Sequence, residues 1–313
     1  MASPDGRQAP WAADRDLGPQ EARAAIEWAF PEVEVGTVQL VGSGWEFDVY
    51  RVRVECEGTD WAFRFPRRRE YSEQFDDEAE VLRVVARTVA PIRVPSVELR
   101  GAPGPHFPYS FAGHRFIEGI RADAPGVALG NGFAETLGAT LARLHASTPD
   151  DALRDVLGLE TEGPREWLDE TLAEIEGLRG FGPEVDAALG WLEAIPVVPA
   201  PHGGMARVIH NDLCPDHLLV DGAGDLCGII DWTDAATGDP LMDFVVLYAW
   251  KGRSFVEKVL GWYELRLDPG FWERLDFSVR VRALHWLRTA AQEGGDVSKH
   301  RRWVENAFAG DTS

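Results

Sequence analysis

The 313-residue chain is poor in cysteine, in lysine and in long apolar runs. Its three cysteines (Cys56, Cys214 and Cys227) make no paired framework, which excludes a disulfide scaffold and predicts buried or half-buried thiols in a reducing compartment. No apolar run approaches the roughly 18 residues of a membrane span. Residues 1–16 are polar, with Pro4, Gly6 and Pro10 among charges, and lack the apolar centre of a secretory leader. A cytoplasmic protein with a flexible tail over 1–16 is the expectation. Only Lys251, Lys258 and Lys299 are lysines, all late in the chain, and the other 28 basic residues are arginines. Any cationic task in the first 250 residues therefore falls to Arg or His. Positive charge is scarce overall: 52 acids against 31 bases leave a formal charge of −21. Nucleic-acid phosphates would be repelled, and a cationic ligand would be concentrated, although acidity alone also serves solubility. With 45% hydrophobic residues, the chain is long enough for two lobes with cores of their own.

The most informative stretch is 208–232, which holds His210, Asp212, His217 and Asp231. Two apolar runs, 218–220 and 226–230, flank Asp221-Gly222-Ala223-Gly224, the pattern of a β-hairpin. Such a hairpin returns Asp231 to the side of His217, with Asp212 on the loop before. Phosphoryl transfer needs a carboxylate near the attacking hydroxyl and ligands for Mg²⁺. Asp212 suits the first task; His217 and Asp231 suit the second. The same four residues are compatible with the metal site of a hydrolase or with a structural turn.

The segment resembles the catalytic loop and metal-binding strand of the aminoglycoside phosphotransferase family, which shares the protein-kinase fold. The matching residues are His210-Asn211-Asp212, then His217, then Ile230-Asp231-Trp232. His in place of Asn at 217 resembles the 2″-aminoglycoside and macrolide branches. Thr233-Asp234 follows, and then Gly238-Asp239-Pro240 with Asp243-Phe244 is similar to the family's Gly-Asp-Pro-x-x-Asp-Phe. The resemblance implies that Asp239 and Asp243 brace the catalytic loop by backbone hydrogen bonds, and that His210 supports the loop. The fold it implies is α+β and two-lobed: a β-rich nucleotide-binding lobe over 17–117, and a helical catalytic lobe over 118–313, with nucleotide between them.

In the amino-terminal half, 19–30 reads as a helix with Pro at its start. Strands are predicted at 37–41, 49–54, 61–68, 95–99 and 109–117, and a helix at 72–90. The 42–48 loop contains Ser43-Gly44, which any hairpin allows. In the family it covers the nucleotide phosphates with its backbone N–H groups. Arg64 stands where kinase-like enzymes carry a phosphate-binding Lys, with Phe63 and Phe65 pointing the other way. An Arg exposed on an edge strand is the alternative. Arg67, Arg68 and Arg69 read as a solvated loop. Glu78, within Glu78-Ala79-Glu80-Val81-Leu82, resembles the family's partner of that basic residue, with Asp77 and Glu80 as competitors. Phe116 to Glu118 resembles the hinge whose backbone binds the purine.

Further helices are expected at 132–147, 165–178, 183–194, 244–250, 256–266, 269–288 and 298–308. His145 reads as a core or capping histidine. Glu166, Asp169, Glu170 and Glu174 face water or a polyamine. Trp250, Trp262, Trp272, Trp286 and Trp303 are expected mostly in the core. The resemblance implies an O-phosphotransferase moving the γ-phosphate of ATP or GTP, with Mg²⁺, to a hydroxyl of a small molecule. An aminoglycoside is favoured by the acidity. A macrolide, a metabolic small alcohol, and a nucleotide-binding pseudoenzyme (for Arg64 in place of Lys) are the alternatives. His217 must be neutral to hold a metal, so activity is expected to fall below about pH 6. A monomer or weak dimer is expected.

Overall fold

In a computed structural model, the structure describes residues 13–309 apart from 74, 148–152, 154–155, 161–163, 174, 195–196 and 201–205. Most of the expected tail, and Glu174, lie outside the described residues. The chain divides into two compact units, Met1–Arg87 with Arg93–Glu118, and Thr88–Ile92 with Gly119–Ser313.

In the first unit, α1 (Pro19–Ala29) starts on its proline, and Glu21 reaches back to accept from the Gly18 N–H at 2.9 Å. It buries Ala22, Ala25 and Ile26. β1 (Val35–Ser43), β2 (Phe47–Val54) and β3 (Thr59–Pro66) follow, then α2 (Phe75–Val89), β4 (Leu99–Gly101) and β5 (Phe111–Arg115). The five strands form one antiparallel sheet in the order β1-β2-β3-β5-β4. The β1–β2 pairing runs on to Ser43↔Asp48, so the loop expected over 42–48 shrinks to a tight turn. The strand expected at 95–99 pairs later, at Leu99–Gly101, because Pro95 has no N–H to give a ladder. Helix α2 starts at Phe75, with a 3₁₀ turn at Arg69–Glu73 before it.

β3 lies between β2 and β5, not at an edge. Its alternation sorts the residues as the period of two requires. Phe63 and Phe65 enter an apolar cluster with Ile26, Phe30, Tyr50, Trp61, Phe107 and Phe111, in which the Phe65 and Phe111 rings stack at 4.5 Å. Each such ring contributes roughly 2–3 kcal/mol by leaving water. Phe47, Phe75 and Ala112 form a second cluster, and Arg64 lays its guanidinium 4.2 Å from the Phe47 ring centre.

His114 on β5 is buried, which pushes its imidazole from 6.5 down to about 4, although Nδ1 bonds the Arg115 carbonyl at 2.9 Å. Because the folded value lies below the unfolded one, the neutral ring stabilises the fold above pH 6.5. That contribution is lost as pH falls from 6.5 towards 4. At about 1.4 kcal/mol per pH unit the loss is roughly 3 kcal/mol. Denaturant melts at pH 7 and pH 4.5 should show it, and the slope should flatten in His114→Gln.

The second unit holds β6 (Ile120–Arg121), α3 (Phe133–Ala146), α4 (Pro164–Ala173), α5 (Pro183–Glu193), β7 (Arg207–Ile209), β8 (Leu218–Val220), β9 (Leu226–Ile229) and β10 (Ala236–Gly238). Helices α6 (Met242–Lys251), α7 (Arg253–Leu260), α8 (Phe271–Glu293) and α9 (Val297–Phe308) complete it. The strands make two small sheets, β6-β8-β9 and β10-β7. Helix α7 ends six residues before the expected 266, and α8 is a long helix that stops at Gly294, with a φ of 70°. Asp296 then caps α9 by accepting from the N–H groups of Ser298 and Lys299.

Two expectations about side chains need correction. Trp303 is buried, but Trp250, Trp272 and Trp286 are half-buried and Trp262 is 50% exposed. All three cysteines are free, and Cys56 is exposed, because it sits in the turn between β2 and β3. Among the described residues, no helix is long and apolar enough to cross a membrane.

Candidate active site

The loop 210–217 joins β7 to β8, and Asp231 follows β9. The β8–β9 hairpin pairs Leu218 with Ile229, and the Ile230 N–H donates to the His217 carbonyl at 2.9 Å. That register returns Asp231 to His217. The imidazole of His217 bridges the two carboxylates: Nδ1 lies 3.5 Å from Asp212 Oδ2, and Nε2 lies 3.5 Å from Asp231 Oδ2.

The His217 tautomer follows from its hydrogen bond. Nδ1 is 2.8 Å from the Asp212 carbonyl oxygen, which can only accept. Nδ1 therefore carries the hydrogen, and in the neutral ring Nε2 has its lone pair facing Asp231. Burial alone would lower the His217 pKa, but the carboxylates of Asp231, Asp212 and Asp216 outweigh it, and the net direction is upward.

Asp212 is 39% exposed at its side chain, while its main chain is held. Its carbonyl also accepts from the Cys214 N–H at 2.8 Å. The Cys214 thiol lies 3.1 Å from Asp212 Oδ1. Burial, then the charges of Asp212 and Asp216, push that thiol well above its ordinary pKa, so it stays protonated and donates to the carboxylate. Asp212, Cys214 and His217 offer ligand atoms within 4.8 Å of one another. A protonated thiol is a poor donor for Mg²⁺, which prefers oxygen. His217 Nε2 and Asp231 Oδ2, 3.5 Å apart, are the pair that could offer such an ion one nitrogen and one carboxylate oxygen.

Asn211 (φ 67°) and Asp231 (φ 61°) are the non-glycine residues with positive φ among those described. Each conformation costs about 1 kcal/mol, and Asn and Asp bear it best. The surroundings hold them there. Asp243, fully buried at the start of α6, accepts from the His210 N–H at 3.0 Å and the Asn211 N–H at 2.8 Å. Its Oδ2 also lies 2.9 Å from His145 Nε2, whose Nδ1 is 2.8 Å from the Tyr263 hydroxyl. His210, also fully buried, bonds the Ile230 carbonyl through Nε2 at 3.0 Å. Burial lowers its pKa, so the ring is a neutral brace between loop and hairpin. Asp239 accepts from the Leu241 N–H at 3.1 Å and pairs with Arg274 at 2.9 Å, at the entry to α6.

A cavity of about 390 Å³ opens beside Asp212. Asn211, Asp212, Asp234 and Glu160 supply its polar wall, and Leu159, Trp167, Met242 and Arg282 the remainder. Asp234 is pushed up to about 6, by burial first and then by the charges of Asp212 and Asp231. Glu160, Trp167 and Arg282 carried no motif in the sequence. Asp234 was visible beside Asp231 but had no assigned role.

In the first unit, Arg64 and Glu78 form a buried ion pair. Asp77 is exposed and Glu80 pairs with Arg83. At the β1–β2 turn, the Ser43 hydroxyl donates to Asp48 at 2.6 Å, and the Gly44 N–H donates to Phe47 O at 3.0 Å. The Gly44 N–H is therefore engaged within the turn. Arg67 is half-buried and donates to the Ser43 hydroxyl at 3.0 Å and to the Gly44 carbonyl. The Phe116 N–H donates to the Asp60 carbonyl at 2.8 Å, so it is not open to a purine edge. Arg51 stacks 4.2 Å from the Phe116 ring and pairs with Glu118 at 2.7 Å, and the Glu118 carbonyl accepts from Arg93 at 2.6 Å.

A small antiparallel sheet lobe, together with a helical lobe carrying this loop and hairpin, defines a kinase-like transferase. Residues 37–277 match the model of the phosphotransferase enzyme family (APH), and the chain belongs to that family. It is 25% identical over 238 residues to the uncharacterized protein YcbJ of Bacillus subtilis (strain 168), covering 72% of this chain and 74% of that protein. The fold is that of the GDP and kanamycin complex of APH(2″)-IIIa, with a TM-score of 0.68 and 21% identity over 93% of this chain and 99% of the other. It is also that of a macrolide 2′-phosphotransferase type I, with a TM-score of 0.64 and 22% identity over 94% and 97%.

Proposed function

We propose that this phosphotransferase moves the γ-phosphate of ATP or GTP to a hydroxyl of a cationic antibiotic of the aminoglycoside type. The observation that carries the reading is Asp212, half-exposed on a cavity wall while its main chain is clamped and its carboxylate lies 3.5 Å from His217. Asp212 accepts a hydrogen bond from the acceptor hydroxyl and takes its proton as the oxygen attacks. The new bond joins that oxygen to the γ-phosphorus, and the bond from γ-phosphorus to the bridging oxygen breaks, releasing the nucleoside diphosphate. Arg64, held by Glu78, pairs with phosphate oxygens through its planar fork. His217 Nε2 and Asp231 would hold Mg²⁺, which when bound neutralises phosphate charge.

The acidic cavity wall and the charge of −21 favour an amine-bearing acceptor. APH(2″)-IIIa, which shares the fold, is known in complex with GDP and kanamycin. Leu159, Trp167 and Met242 on the same cavity favour the second reading, a more apolar macrolide.

Thermal-shift measurements with ATP or GTP and Mg²⁺, followed by a nucleotide-release assay over kanamycin and a macrolide, test both readings. Stabilisation by one nucleotide and acceptor-dependent release of its diphosphate are expected. No stabilisation by either nucleotide would sink the proposal, and release that no acceptor accelerates would favour a pseudoenzyme. The Mg²⁺ needed for half-maximal activity should rise as pH falls. Because the neighbouring carboxylates raise the His217 pKa, this rise should begin at a higher pH than an isolated imidazole of pKa 6.5 would give. Titrations of Mg²⁺ at pH 6, 7 and 8 measure it.

A further inference from the structure

The turn after Asp212 folds back on it twice. The Cys214 N–H donates to the Asp212 carbonyl at 2.8 Å, and the His217 N–H donates to the Cys214 carbonyl at 3.0 Å, so both main-chain groups of Cys214 are engaged. Leu213 and Pro215, on either side of it, are buried. From this fixed backbone the Cys214 side chain returns to the same aspartate: Sγ donates to Asp212 Oδ1 at 3.1 Å. His217 does not compete for the carboxylate. Its Nδ1–H is directed at the Asp212 carbonyl at 2.8 Å and lies 3.5 Å from Oδ2, beyond hydrogen-bond length. Among the described residues, the donor on the Asp212 carboxylate is thus the Cys214 thiol, which takes Oδ1 and leaves Oδ2.

We infer that Cys214 is a positioning residue for Asp212: its thiol pins Oδ1, fixes the plane of the carboxylate, and makes Oδ2 the oxygen that receives the proton of the attacking hydroxyl. The inference rests on the reading of Asp212 as the base. The torsion that turns an aspartate carboxylate is broad, so an unheld one swings its two oxygens through many orientations. Packing does little to restrict a side chain that is 39% exposed. In the step itself the acceptor O–H bond breaks and its proton joins Oδ2. The freed electron pair forms the bond to γ-phosphorus, and the bridging oxygen departs with the pair of the broken P–O bond. A thiol suits the task because it is a weak donor. A strong donor or a cation would tie up the negative charge that a base needs. Cys214 touches no reacting atom and acts through Asp212.

Three substitutions separate positioning from packing. Cys214→Ser keeps a donor; Cys214→Ala and Cys214→Val remove it, and the second of these keeps apolar bulk. The probe is the slow hydrolysis of MgATP or MgGTP, in which water takes the place of the hydroxyl, measured with KM for nucleotide and the melting temperature. Cys214→Ala and Cys214→Val are each expected to lower kcat about tenfold, the scale of a small misplacement of a reacting group, with KM for nucleotide within about twofold. Cys214→Ser is expected to recover kcat to within about threefold of the unaltered chain, because a hydroxyl also donates to a carboxylate. A side chain that only fills space predicts the opposite order, with Cys214→Val best and Cys214→Ser no better than Cys214→Ala. Cys214→Val carries the comparison if the smaller side chain unfolds the turn. Cys56→Ala, in the exposed β2–β3 turn, removes a thiol elsewhere and should move no readout. Cys214→Val as fast as the unaltered chain, or Cys214→Ser no faster than both donor-free variants, overturns the inference. So does a loss of kcat matched in all three variants by a fall in melting temperature, which would make the thiol a structural one. Asp212→Asn separates this failure from that of the function: if it hydrolyses nucleotide as fast as the unaltered chain, the reading of Asp212 as the base is itself wrong. If Asp212→Asn loses hydrolysis and the donor-free variants do not, only the role of Cys214 is wrong.

Discussion

Asp212→Asn is expected to lower kcat for acceptor phosphorylation by about 10²–10⁴-fold with KM for nucleotide and the melting temperature nearly unchanged. The amide cannot take a proton from the attacking hydroxyl, so an interaction that matters chiefly in the transition state disappears. The loop survives because its shape does not depend on the carboxylate. The Asp212 carbonyl, not its side chain, holds the Cys214 N–H and His217 Nδ1. The side chain is also 39% exposed, so little packing is disturbed. Steady-state kinetics with a melting curve on the same preparation measures both effects. A variant with more than about a tenth of the original kcat would remove Asp212 from the chemistry.

Asp243→Ala should destabilise the fold by roughly 3–5 kcal/mol, the range for breaking a buried charged network from one side. The carboxylate is fully buried and takes the His210 N–H, the Asn211 N–H and His145 Nε2. Alanine leaves these donors without an acceptor where water cannot replace it. Burial alone would raise the Asp243 carboxyl. The hydrogen bond and charge of His145, followed by His210, outweigh burial and hold it below 3.8. A carboxyl depressed in the folded state stabilises the fold above its unfolded value. That contribution is lost as pH falls through the lower folded value. The variant should therefore show its full deficit at neutral pH and a smaller one towards pH 3. Chemical denaturation at pH 7 and pH 3.5 checks both. Activity should fall with it, because Asn211 and Asp212 lose their anchor.

These two residues illustrate what could be read in advance. His210, Asp212, His217 and Asp231 lie within 22 residues, and a two-stranded hairpin has one favoured register when both its strands are buried. Their meeting was therefore legible from spacing alone. The face of Arg64 was legible by alternation along β3; its partner Glu78 came from the resemblance, with Asp77 and Glu80 as competitors until α2 was packed on the sheet. The two glycine-flanked and hinge positions were less legible. Whether the Gly44 or Phe116 N–H is open depends on turn closure and on a neighbouring strand, which the residue types do not reveal.

The amino-acid sequence by itself determined the local pieces. These are the strand alternation of β3, the β8–β9 hairpin and its polar ends, the proline start of α1 and the acidic charge, all set by short-range sterics and periodicity. Only the tertiary structure decided that Arg64 is buried, that Asp243 holds the loop from 33 positions away, and that Glu160 meets Asn211. Such meetings depend on which apolar faces pack together. That choice is made by the summed burial of many side chains and leaves no mark on the few polar residues it brings into contact.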